Sequence, residues 1–354
     1  MLKNIQLENF RNHAKFKLEL QHTTVLIGRN GVGKTNILEA LVMLSFCRSF
    51  RSDDKRNLIN RDCSFARIVG DDLELFLTNT PRLIMKAKAK GAPKRLSDFI
   101  GYLPSVIFSP ETISIITGTP SDRRRFLDIM LSQVDREYLN ALTAYRKVRQ
   151  QRNSLLQRIG LGQAGEEELI FWDAEINREA EIISKKRNEA IDFINKLLPG
   201  IYQKISGDKS DNKLELKYLK NFEGALIDTL KQGRRREIAY GGTIFGPHRD
   251  DVQFNLNGFN MANFASRGEL KSGILALKIG ELRFLEQSEK LKMKSKENKV
   301  TPLLLLDDIF SEFDKERRSH LGDLILQYQS VITSTEKEHL SEILLKDAKI
   351  VDII

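Results

Sequence analysis

Cysteine is scarce. Cys47 and Cys63 are the only two in 354 residues, and they form no CxxC pair. That argues against a disulfide framework and against a thiolate metal site, and leaves a free-thiol protein of a reducing compartment as the expectation. Long apolar runs are missing too. None reaches the roughly 18 residues of a membrane helix. The opening Met1-Leu2-Lys3-Asn4-Ile5 lacks a signal peptide's apolar stretch and cleavage site, so a cytoplasmic protein without membrane segments is expected. No internal repeat is visible. The one biased segment, the Lys/Glu/Ser stretch from Ser288 to Val300, reads as an exposed loop.

What remains is an ordinary globular mixture, 41% hydrophobic and 30% charged, long enough for a large core and two lobes. Its formal charge is +9, which favours an anionic partner, nucleic acid first. The basic residues cluster. Arg82 to Arg95 carries six Lys or Arg and no acid, Arg123-Arg124-Arg125 and Arg234-Arg235-Arg236 are triplets, and Lys290, Lys292, Lys294, Lys296 and Lys299 share one loop. An Arg run on a helix is as readily an intramolecular ion-pair set as a DNA contact, and for Arg123 to Arg125 both readings stay open.

Hydrophobic periodicity divides the chain. Phe16, Leu18 and Leu20 alternate with charged residues, giving a half-buried strand. Val25-Leu26-Ile27 and Leu303 to Leu306 read as buried strands, and Val331-Ile332 as a third. In the middle, Ile176, Ala180, Ile183, Ala190, Ile194, Leu197 and Ile201 recur at helical steps, with Pro199-Gly200 near the end of that helix. Asp122 to Leu156 also reads helical. The expected fold is α/β: an ATPase domain split into residues 1–100 and 241–354, with a helix-rich lobe, 101–240, inserted between.

The chemistry starts at Gly28-Arg29-Asn30-Gly31-Val32-Gly33-Lys34-Thr35, which fits G-x-x-x-x-G-K-[ST] between a buried strand and an apolar-periodic helix. Glycines let successive N–H groups curl towards phosphate oxygens, and the helix N-terminus adds partial positive charge. Lys34 is expected to reach the β- and γ-phosphates of ATP, and the Thr35 hydroxyl to ligate Mg²⁺. The strand Leu303 to Leu306 ends in Asp307-Asp308. Asp307 is the expected Mg²⁺ partner, and Asp308 the group that polarises an attacking water.

Upstream, Ser266-Arg267-Gly268-Glu269 opens another apolar-periodic helix, a second anion-binding arrangement. The order of phosphate loop, S-x-G element and Asp-ended strand resembles the ABC-type ATPases. That resemblance implies that Ser266 and Gly268 meet the γ-phosphate of ATP held by a second molecule. It also implies that Asp314, in Phe310-Ser311-Glu312-Phe313-Asp314, lies in a loop crossing the dimer interface, and that Thr333-Ser334-Thr335 senses the γ-phosphate.

Within that superfamily the chain resembles the RecF family of bacterial recombination mediators. The resemblance rests on Leu7-Glu8-Asn9-Phe10-Arg11-Asn12, Ser109-Pro110-Glu111, Gly118 to Asp128 with its Arg triplet, Gly246-Pro247-His248-Arg249-Asp250-Asp251, Asp307-Asp308 and Asp314 to Arg318. It implies ATP-dependent homodimers on double-stranded and gapped DNA, with single-stranded DNA also bound. It further implies RecR and RecO as partners in loading RecA, slow hydrolysis that resets the dimer, and Arg11 against the adenine or ribose. Three residues depart from the pattern: Thr119, Glu269 and Phe313. Glu269 places a negative charge where the γ-phosphate is expected to dock, which bears against ATP-driven dimerisation. His248 has no base or metal partner in sequence and is read as structural or as a surface contact.

Two alternatives are weaker. An SMC-type clamp needs far longer heptad arms than this lobe provides. A metabolic P-loop kinase needs an acceptor pocket and has no use for Ser266-x-Gly268.

Overall fold

A computed structural model of the chain describes residues 1–207, 212–288, 301–336 and 347–353. The basic loop expected after Ser288, with its five lysines, lies outside the described residues. The chain forms two compact units. The first comprises Met1–Thr112, Ile205–Gly207 and Leu275–Ile354, and the second Ile113–Lys204 and Asp208–Ile274. The sequence places the joins near 100 and 240. Here the α/β unit runs on to Thr112 and resumes at Leu275, so Ser266 and Gly268 belong to the second unit.

Two sheets build the first unit. Strands β1 (Asn4–Phe10), β2 (His13–Glu19), β4 (Phe65–Gly70), β5 (Leu73–Thr78), β6 (Ile84–Ala89) and β7 (Ala92–Lys94) form an antiparallel sheet in the order β2-β1-β4-β5-β6-β7. Strands β3 (Thr23–Ile27), β8 (Ser105–Phe108), β12 (Leu303–Asp307), β13 (Ser330–Ser334) and β14 (Lys349–Asp352) form a parallel sheet in the order β14-β3-β13-β12-β8. The expected buried strands are β3, β12 and β13. Every residue of the three is buried, because both faces of the sheet are covered.

Helix α1 (Lys34–Phe46) touches β1, β4 and β5 of one sheet and β8, β12 and β13 of the other. It is therefore apolar on every side, with Ile37, Leu38 and Ala40 to Leu44 all fully buried. Each large aliphatic side chain so placed contributes about 1.5–3 kcal/mol.

The basic run from Arg82 to Arg95 is the β6–β7 hairpin at the sheet's edge. Ala87 and Ala89 face the core while Lys86 and Lys88 face solvent. The edge strand itself, β7, carries Pro93 and Lys94, which discourage a neighbouring chain from pairing with it. Glu74 on β5 answers one of these cations, Lys88 at 3.7 Å, and also Arg67 of β4 at 3.0 Å.

The second unit is helix-rich, as expected. The stretch Asp122 to Leu156 is two helices, α2 (Pro120–Val134) and α3 (Arg136–Gly160). They are separated at Asp135, which leaves helical geometry and caps the second through Tyr138 N–H. Helix α4 (Leu169–Ser206) continues past Pro199, because Leu198 and Tyr202 are buried and their burial offsets one lost backbone bond. Helix α5 is Leu226–Tyr240. A three-stranded antiparallel sheet, β11-β10-β9, joins them: β9 is Leu214–Leu219, β10 Asp251–Leu256 and β11 Phe259–Asn260.

Buried ions stitch this unit together. Arg152 donates to Asp173 (2.8 Å), Glu237 (2.5 Å) and Thr243 (2.8 Å). Arg187 donates to Asp128, Tyr138 and the Pro247 carbonyl.

Candidate functional site

Strand β3 runs straight into the glycine-rich loop and α1. Gly31 and Gly33 adopt φ of 87° and 110°, which a side chain disfavours, so the curl of the loop requires glycine at both. Lys34 folds back over the loop, its ammonium donating to the carbonyls of Gly28 (2.6 Å) and Arg29 (2.9 Å). Burial lowers its pKa, and Asp308 and Asp307 pull it back up.

Parallel pairing brings the remaining parts to the same end of the sheet. Asp307 and Thr333 are partners across β12 and β13, and Ser334 pairs with Ile27 just before the loop. Asp307 Oδ1 accepts from the Thr35 hydroxyl at 2.9 Å and from the Thr333 hydroxyl at 2.8 Å. Burial raises the carboxyl's pKa, and those two hydrogen bonds work against the rise. The next residue, Asp308, turns into the left-handed region (φ 50°), and its N–H donates to Thr333 Oγ1 at 3.0 Å. The two acids thus leave the strand in different directions. The structure therefore brings together Gly28 to Thr35, Asp307, Asp308 and Thr333. Thr35 and Asp307 offer a hydroxyl and a carboxylate oxygen side by side, hard oxygen donors of the kind Mg²⁺ takes.

Arg11 lies in the turn between β1 and β2. Its guanidinium grips Glu39 of α1 in two parallel hydrogen bonds, 2.7 and 2.6 Å, and also donates to the Asn57 carbonyl. Glu39 is fully buried and accepts from Ser49 as well. Sequence reasoning assigned no role to Glu39. Its signal was there: one acid inside the apolar run Ile37 to Leu44 must find a cation or stay unpaired at high cost. His13, and Asn12 of the family block, have no role assigned from sequence, and both touch the loop, at Gly33 O (3.1 Å) and Val32 O (2.9 Å).

In the second unit, Ser266 is exposed and caps helix α6 (Arg267–Gln287). Ser266 N–H donates to Glu269 Oε2 at 2.7 Å, and Glu269 N–H to Ser266 Oγ at 3.3 Å. This is a capping box, and it gives Glu269 a local task that its charge alone did not suggest. In the first unit, Asp314 caps helix α7 (Lys315–Gln327) through Arg317 N–H and pairs with the Arg317 guanidinium.

Two members of the Arg triplet turn inward. Arg123 holds Asp251 through two bonds (2.7 and 3.0 Å) and donates to the Gly118 carbonyl, while Arg124 donates to the Asp250 carbonyl. Arg125 is half-buried. Of the second triplet, Arg234 holds Asp173 at 2.8 Å. His248 sits between the Tyr145 hydroxyl (2.6 Å) and the Thr243 carbonyl (3.0 Å). The carbonyl can only accept, so Nε2 carries the proton and Nδ1 accepts from Tyr145. Burial, with Arg149 nearby, lowers its pKa to about 3, and the ring is structural. Among the described residues no cluster of His, Cys, Asp and Glu forms a metal site, and no helix is long and apolar enough to cross a membrane.

The family described as AAA ATPase domain matches residues 1–346. The DNA replication and repair protein RecF of Lachnoclostridium phytofermentans is 35% identical over 350 residues, covering 96% of this chain and 93% of its own. Its counterpart in Chloroflexus aggregans is 34% identical, with 98% and 96% covered. Among solved structures, the recombination mediator RecF with ATP, of the RecFOR pathway, superposes with a TM-score of 0.85 at 30% identity, covering 96% of this chain and 93% of that one. An Smc head domain from Pyrococcus furiosus shares the fold alone, with a TM-score of 0.53 at 15% identity.

Proposed function

Because this chain belongs to the RecF family of DNA replication and repair proteins, we propose that it is an ATP-driven DNA clamp whose nucleotide sites are completed by a second copy of itself. The observation that carries this reading is the knot of Thr35, Asp307 and Thr333 at the mouth of the glycine-rich loop. It joins the two halves of a nucleotide site that lie 272 residues apart in sequence.

In this reading Gly28, Arg29, Asn30, Gly31, Val32 and Gly33 cradle the phosphates, and Lys34 swings from the loop carbonyls to the β- and γ-phosphates. Thr35 and Asp307 hold Mg²⁺, which supplies charge neutralisation between the phosphates when bound. Asp308 orients water. Arg11, fixed by Glu39, faces the adenine or ribose side. Ser266 and Gly268 serve the partner's ATP from the tip of α6, and Asp314 lies in the loop that crosses between copies. The clamp acts on double-stranded, gapped and single-stranded DNA in the cytoplasm and works with RecO and RecR to load RecA. Slow hydrolysis releases it. The net charge of +9 supports a DNA partner, while the inward-turned Arg123 and Arg124 favour an intramolecular role for those two.

Sedimentation with ATP and Mg²⁺, with and without a gapped duplex, tests the reading. Wild type should dimerise. Lys34→Arg should lose hydrolysis while keeping nucleotide, and Ser266→Arg should bind nucleotide yet stay monomeric. A Ser266→Arg protein that dimerises with ATP contradicts the shared site.

A further inference from the structure

We infer that Asn12 and His13, in the turn between β1 and β2, are positioning residues that aim the backbone N–H groups of the phosphate loop. The inference rests on the reading of that loop as the ATP site. Asn12 Nδ2 donates to the Val32 carbonyl at 2.9 Å, and His13 Nε2 lies 3.1 Å from the Gly33 carbonyl. A carbonyl accepts only, so the His13 tautomer is protonated at Nε2. The Gly33 carbonyl also receives the N–H groups of Asn36 and Ile37 as α1 begins.

Across a trans peptide, C=O and N–H point in opposite directions. Holding Val32 C=O towards Asn12 therefore turns Gly33 N–H the other way. Holding Gly33 C=O towards His13 and the helix does the same for Lys34 N–H. Among the described residues, no protein oxygen accepts from either N–H. Buried or half-buried amides without a partner are rare, and two neighbours aimed alike form an anion cradle.

The turn is itself braced. Arg11 locks it to α1 through Glu39, and Arg11 N–H donates to the Leu58 carbonyl at 2.9 Å. Asn36 Nδ2 donates to Asn12 Oδ1 at 2.8 Å, which fixes the amide so that its NH₂ faces Val32. Arg51 in turn donates to Asn36 Oδ1 at 3.1 Å. The approach is close enough to set the sequence of the loop. A Cβ on residue 33 would come within 2.6 Å of both Asn12 and His13. Gly33 is thus required twice, for its φ and for the room it leaves.

Calorimetric titration of ATP and of ADP into wild type, Asn12→Ala, Asn12→Asp, His13→Ala and His13→Gln tests this, with unfolding midpoints measured in nucleotide-free buffer. Asn12→Asp keeps the acceptor for Asn36 but cannot donate to Val32, so both Asn12 variants should bind ATP and ADP about five-fold more weakly, one hydrogen bond's worth. Asn12 is exposed, so their midpoints should match wild type. Gln keeps a donor at the reach of Nε2, so His13→Gln should recover most of the affinity that His13→Ala loses. Wild-type affinity in Asn12→Asp, or no advantage of His13→Gln over His13→Ala, overturns the inference and leaves the ATP site standing. Failure of wild type to bind either nucleotide overturns the site itself.

Discussion

Asp307 Oδ1 takes hydrogen bonds from two threonine hydroxyls, one on the phosphate-loop helix and one on the neighbouring strand. The oxygen is thus fixed by parts of the chain that meet only in the folded state, and its direction is set before any ligand arrives. His248 shows the same economy without a catalytic task. Its pKa is depressed from 6.5 to about 3, so the native state holds it neutral. Its stabilising contribution is complete above pH 6.5 and is lost as pH falls towards 3. Unfolding free energies from urea titrations should therefore decline by up to about 1.4 kcal/mol per pH unit below 6.5 on account of this residue. His248→Gln should flatten that part of the curve, and an unchanged slope would show that the ring titrates normally. Arg152 gives a second test. Removing it leaves Asp173 and Glu237 buried together, so Arg152→Ala should cost about 3–5 kcal/mol in the same titration.

At the level of elements, the capping box at the start of α6 decides how Glu269 behaves. Its carboxylate is occupied with Ser266 N–H. Glutamine caps in the same way, so Glu269→Gln should leave stability within a few tenths of a kcal/mol, while Glu269→Ala should lose about 1 kcal/mol. If charge at this spot weakens dimerisation, Glu269→Gln should dimerise at lower ATP than wild type, read by sedimentation.

The pattern Ser266-x-x-Glu269 was legible as a cap from sequence, yet its charge drew the attention instead. Strands β3, β12 and β13 were legible because burial on both faces leaves a plain apolar run. The sheet from β4 to β7 was not. Its strands carry Arg67, Glu74, Lys86 and Lys88 on the outer face, which break up the apolar run that marks β3, β12 and β13. The grip of Asn12 and His13 on the loop was out of reach for another reason: it depends on where a turn 20 residues away is set by Arg11 and Glu39.

For the whole molecule, a site completed by a second copy makes activity depend on concentration. ATP hydrolysis per mole should rise through the range in which the dimer forms and then level off. A flat profile would favour a self-sufficient kinase-like monomer. Nucleotide should also stabilise the first unit by mass action. At a hundred-fold excess over the dissociation constant the gain is about 2.7 kcal/mol, visible as a raised unfolding midpoint.

Helix α1 lies between the two sheets of the first unit with its apolar residues sealed on every side. The amides from Ile37 to Leu44 can reach solvent deuterons only when both sheets part. They should therefore exchange only through that unit's complete opening, slowest of its backbone, and ATP should slow them further by the mass-action gain. The loop that must respond to nucleotide is thus rooted in the segment least able to move without unfolding the unit. Any signal that ATP sends must leave through the loop's other neighbours, the β1–β2 turn and the ends of β12 and β13, and faster exchange changes should appear there first.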